Sequence, residues 1–131
     1  MSEAAVRRIA QTRRRRFERL VARAIDELPP DVLAQLENVE IVIEDEPAPR
    51  QMARADDADA LFGLYEGIPL TERDSAYGMV LPDKITIFRG PLERSFRSPS
   101  AIAREVRITV AHELGHHLGL DEDRLEDIGL G

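Results

Sequence analysis

Three histidines, a glutamate and a turn glycine crowd into VAHELGHHLGL, Val110 to Leu120, which holds every histidine of the chain. Successive residues of an α-helix turn by about 100°, so His112 and His116 stand about 40° apart, one turn along the same face. Ring nitrogens placed this way can converge on one metal ion at about 2.0–2.1 Å. Glu113, about 60° from His116, can reach a water at that ion without coordinating it. This is the spacing H-E-x-x-H on a helix, two ligands with a general base between them. The chemistry needs neutral imidazoles, a further protein ligand and an open position.

The further ligand must come from beyond the helix. The chain has no cysteine, so only imidazole and oxygen are available. Gly119 is a natural left-handed cap that lets the chain turn back. The spacing H-E-x-x-H-x-x-G-x-x-E then puts Glu122 at the third-ligand position, with Asp121 and Asp123 as alternatives. The same three acids would also suit the N-terminus of a last short helix. His117 stands about 20° from the line through Val110 and on the far side from His112, so it reads as a packed, hydrogen-bonded histidine outside the ligand set.

These residues need a scaffold. In SPSAIAREVRITVAHELGHHLGL the apolar residues Ile102, Val106, Val110, Leu114 and Leu118 recur every four positions, giving a long helix a buried ridge, with Ser98 or Ser100 as its N-cap. FERLVARAIDELPP carries a second helical stripe, Phe17, Leu20, Val21, Ala24, Ile25 and Leu28, stopped by Pro29 and Pro30. A short helix is expected over DVLAQLE. NVEIVIE alternates as a half-buried strand, with Val39, Ile41 and Ile43 opposite Glu40 and Glu44. Residues 45–60, polar and proline-bearing, read as a loop or mobile segment. LFGLYEGIPLTERD, with glycines at 63 and 67, suggests a strand entering a turn, and KITIFRG a further strand, Lys84 to Arg89. DEDRLEDIGL closes as one short helix. The sum is α+β, a small sheet of about three strands packed against helices.

The 131 residues fit one domain, and 43% hydrophobic content supports a modest core. Net charge is −7 but uneven. Residues 1–23 hold eight arginines against Glu3 and Glu18, a net +6, and residues 1–16 read as a basic, partly disordered helix extension. The remaining ten basic and 23 acidic residues sum to −13, which argues against a nucleic-acid-binding body. No signal-like or membrane-length apolar run occurs, so no membrane partner is expected and the cytoplasm is the default location.

From about Phe17 to the C-terminus the chain resembles the small bacterial zincin-like metallopeptidases, or minimal zincins. The likeness is carried by FERLVARAIDELP, NVEIVIED, GLYEGIPLTER, KITIFRGPLER and HELGHHLGLDEDRL. The last is the most specific, and no general zincin pattern requires GLYEGIPLTER. The resemblance implies a compact α+β zincin core, zinc as the metal and hydrolysis of peptide or protein substrates. Under it His112 and His116 match the histidine ligands, Glu113 the general base and Gly119 the turn glycine. The family pattern usually ends in aspartate where this chain has Glu122, and the extra methylene keeps Asp121 and Asp123 in play. Zincins bind substrate extended along an edge strand, for which Lys84–Arg89 or the segment around Tyr65 is the candidate here. Tyr65 is read first as an aromatic anchor of the turn and second as a hydrogen-bond donor to a tetrahedral intermediate.

Three functions compete. The first is a zinc-dependent peptidase with Glu113 as base. The second is a zinc-stabilised protein-binding module without hydrolysis. The third is a metal-dependent RNA-processing protein, which fits less well because such helices do not call for Glu113 and Glu122 is no histidine. Oligomeric state, cleavage preference and physiological substrate leave no mark in the sequence.

Overall fold

The structure, a computed structural model, describes residues 1–53, 61–67, 83–119 and 122–129, with the side chains of Leu118 and Glu122 outside that set. Helix α1 (Glu3–Asp26) begins at Ser2, whose hydroxyl accepts the Ala5 N–H, and runs unbroken through the arginine-rich stretch. Phe17, Val21 and Ala24 are buried, as is Leu28 just beyond the helix, while Leu20 and Ile25 pack at the margin of the core. Pro30 opens α2 (Pro30–Gln35), where a missing N–H costs nothing.

Three strands follow: β1 (Val39–Glu44), β2 (Gly63–Glu66) and β3 (Asp83–Phe88). The sheet order is β1-β3-β2, with β1 parallel and β2 antiparallel to β3. Strand β3 is therefore central and its residues alternate between two apolar layers. Ile85 and Ile87 join the main core with Val106, Val110 and Leu114, whereas Phe88 joins Leu61 and Leu64 on the opposite face. The Lys84–Arg89 segment, expected as a possible substrate edge, is hydrogen-bonded on both sides and cannot serve. The edges of the sheet are β1 and β2.

A second correction concerns residues 45–60, read as loop throughout. A single helical turn, α3 (Pro49–Met52), stands within them; residues 54–60 lie outside the described set. The turn is held by Gln51, a fully buried polar residue whose Oε1 accepts the Ala48 N–H at 2.8 Å and whose Nε2 donates to Glu66 at 3.1 Å. Its anchor is a partner fifteen residues distant, so no local pattern announces it.

Helices α4 (Arg89–Ser95), α5 (Pro99–Leu118) and α6 (Glu122–Asp127) complete the described chain. Ser98 caps α5 by accepting the Ala101 N–H, and Pro99 takes the first helical position. The expected ridge is buried at Ile102, Val106, Val110 and Leu114. Gly119 ends the helix at φ 71°, a left-handed conformation that suits glycine. Helix α5 lies close on β2: a Cβ on Gly63 would stand 2.7 Å from Thr109 Cγ2. No helix among the described residues is long and apolar enough to cross a membrane.

Candidate active site

The last two turns of α5 carry the chemistry-bearing residues. Since the ridge fixes which side of the helix is buried, His112 and His116 fall on its exposed side, with ring centroids 4.4 Å apart and planes inclined by 42°. Two exposed imidazoles one turn apart are a donor pair suited to zinc. Chemically the pair fits such an ion. Among the described residues no group of three His, Asp or Glu side chains is gathered for a metal, so a third donor must come from elsewhere. Glu122 opens α6, but its side chain and all of Asp121 lie outside the described set. Asp123 is exposed in the first turn of α6.

Glu113, about 60° round the helix from His116, turns towards the sheet. Its side chain is only 15% exposed, and Oε2 accepts the backbone N–H of Tyr65 at 3.3 Å. That N–H is free of the ladder for a topological reason. In an antiparallel pair alternate residues point their polar groups at the partner. Phe62 bonds Phe88 across the pair, so residues 62, 64 and 66 face β3 while Gly63 and Tyr65 face outward. The carboxylate thus sits against the outer edge of β2. Burial pushes its pKa above the ordinary 4.5, and the Tyr65 N–H with the nearby rings of His117, His112 and His116 offsets only part of that rise.

His117, expected to be packed, has a side chain that is 45% exposed, yet it makes two contacts at the site. Its ring stacks on Tyr65, centroids 4.7 Å apart and planes within 9°, and its Nε2 lies 3.5 Å from Glu113 Oε2. The Tyr65 hydroxyl in turn donates to Asp83 at the start of β3. This engagement favours the anchoring role of Tyr65 over donation to a reacting oxygen. Sequence spacing held one clue to the His117 contact, the four-residue interval from Glu113 that puts both on one helix face. Nothing local linked Tyr65 to Asp83.

The model of the zincin-like metallopeptidase family matches residues 36–131, from the end of α2 through the C-terminus. The chain therefore belongs to the zincin-like metallopeptidases, and its α+β core is that of a minimal zincin. Helix α1 precedes the matched region. Among curated proteins none matches the chain significantly.

Proposed function

We propose that the chain is a zinc-dependent peptidase that cleaves peptide or protein substrates bound along the outer edge of β2. His112 and His116 would hold the ion, with Glu122 as third ligand and Asp121 as the alternative; Asp123, a described residue, is not gathered with the pair. Zinc bound there would supply Lewis acidity, making water more acidic and a peptide carbonyl more electrophilic. Glu113 is the general base: it takes a proton from the attacking water and returns it to the leaving amine. Burial raises its proton affinity, which suits a group that must accept a proton near neutral pH. The Tyr65 N–H orients the carboxylate through Oε2. Gly63 stands in the outward register beside it, so an extended peptide can add to β2 by backbone hydrogen bonds.

One observation carries the reading. The sole carboxylate between the two imidazoles is not turned to solvent but held against a strand edge by the Tyr65 backbone amide, with His117 Nε2 3.5 Å from the same oxygen. The decisive experiment pairs metal analysis with a peptide-library screen of the wild type and Glu113→Gln. Near-stoichiometric zinc in both, with cleavage in the wild type alone, is the expected result. Cleavage at wild-type rate in the variant would overturn the mechanism. Metal-dependent folding with no cleavage of any peptide would instead favour the zinc-stabilised binding module.

A further inference from the structure

A groove of about 540 Å³ lies between α1 and the start of α5, at the opposite end of that helix from the histidines. Ile102 in the groove is ten residues from His112, about 15 Å along the axis at 1.5 Å per residue. The floor is apolar, built from Phe17, Leu20, Ala24, Ile102 and Ala103. The rim is basic: Arg13, Arg16, Arg19, Arg23 and Arg97.

The charge state of that rim is the informative feature. Six arginines elsewhere are paired: Arg14 and Arg89 with Asp45, Arg50 with Glu66, Arg94 with Glu46, Arg107 with Glu27, Arg124 with Asp31. Among the described residues none of the five rim guanidiniums has an ion-pair partner. The two carboxylates that reach the groove, Glu27 and Glu93, are engaged by Arg107 and Arg89. Five unpaired cations around a concave apolar floor complement a ligand that carries carboxylates beside aliphatic side chains. The basic rim continues along α1 past Arg8, where Val6 and Ile9 are exposed on the same helix face as Phe17 and Leu20.

We infer that this groove docks an acidic, leucine-bearing peptide segment of a partner protein, whose aliphatic side chains fill the floor while its carboxylates pair with the arginine rim. A phosphate backbone would use the rim and leave the floor empty. Two copies of α1 set face to face would oppose arginine to arginine. The inference is independent of the metal site, and neither hydrolysis nor zinc enters its test.

The test uses the full chain and fluorescence anisotropy with three labelled probes. One is a short peptide of glutamates interspersed with leucines, one has every leucine replaced by alanine, and one is a single-stranded RNA of equal charge. The leucine peptide is expected to bind most tightly, by roughly tenfold or more, because each buried leucine adds favourable transfer energy. Arg16→Glu with Arg97→Glu, both at exposed positions, should abolish that binding, and Arg104→Glu, exposed on α5 outside the groove, should leave it unchanged. Equal binding of the alanine peptide, or tighter binding of RNA, would overturn the proposal, because charge alone would then explain it. So would failure of the leucine peptide to bind, or a dimer of this chain that the double variant dissolves, which would assign the groove to a second copy.

Discussion

The backbone amide of Tyr65 and the carboxylate of Glu113 meet at 3.3 Å, and this contact joins the edge of the sheet to the histidine helix. A residue proposed to move protons is thereby held by the strand proposed to hold substrate. Any shift of α5 against β2 changes both at once. The consequences are measurable.

Glu113→Gln keeps the shape of the side chain and an oxygen for the Tyr65 N–H, but removes the basic carboxylate. Hydrolysis should fall by about 10²–10⁴-fold, the contribution of a positioned general base. Stability should move in the opposite direction. Burial raises the folded-state pKa of Glu113 above 4.5, so its ionised form at neutral pH is disfavoured in the native state relative to the unfolded one. The variant should therefore melt no lower, and in metal-free protein higher, than wild type at pH 7. A marked drop in Tm would contradict this account of its burial.

Alanine at each of the three histidines separates their roles. His112→Ala and His116→Ala should lose zinc, as measured by metal content after dialysis. His117→Ala should retain it yet melt lower, since it removes the ring stacked on Tyr65, a contact worth about 0.5–1.5 kcal/mol. His117→Phe should recover most of that stability through the stack. Zinc loss in His117→Ala equal to that in His116→Ala would make it a ligand after all.

The histidine helix was legible because its information is local. The four-residue ridge fixed which face of α5 is buried, Ser98 or Ser100 and Gly119 marked its ends, and the H-E-x-x-H spacing then followed on the exposed side. The stripe from Phe17 to Leu28 and the alternation of NVEIVIE were local in the same sense. What escaped is non-local. Whether KITIFRG is central or at an edge depends on which strands flank it, and its alternation is compatible with either. Gln51 looks like a loop residue until Glu66 is brought beside it. Tyr65 could be placed beside Glu113 only once strand register turned its N–H outward.

Gly63 tests the close approach of α5 to β2. A methyl group there would lie 2.7 Å from Thr109 Cγ2 and 3.1 Å from the Thr86 carbonyl oxygen, so helix or strand must give way. Gly63→Ala should cost about 1–3 kcal/mol, in the range of overpacked cores. Activity should fall further than stability explains, because the strain enters two residues from the Tyr65–Glu113 contact. Thr109→Ser removes the obstructing Cγ2. In a double-mutant cycle the pair should show favourable coupling, with Gly63→Ala costing less in the Thr109→Ser background, and strictly additive losses would contradict the clash.

Acid stability should report on Glu66, whose side chain is only 7% exposed between Arg50 and Gln51. Burial opposes its ionisation, but the hydrogen bonds from Gln51 and Arg50, with the charges of Lys84 and Arg50, outweigh burial and lower its pKa below 4.5. A carboxyl with a depressed folded-state pKa stabilises the native state fully above its unfolded value. That contribution disappears as pH falls through the lower folded value. Thermal melts of wild type and Glu66→Gln should therefore differ by a constant margin above about pH 5 and converge as pH falls below 4.5. The variant keeps an acceptor for Gln51 but not the ion pair with Arg50, so its own acid limb should be shallower. Parallel curves down to the lowest pH at which both fold would show that Glu66 is not held by charge, and that α3 is anchored by the Gln51 hydrogen bonds alone.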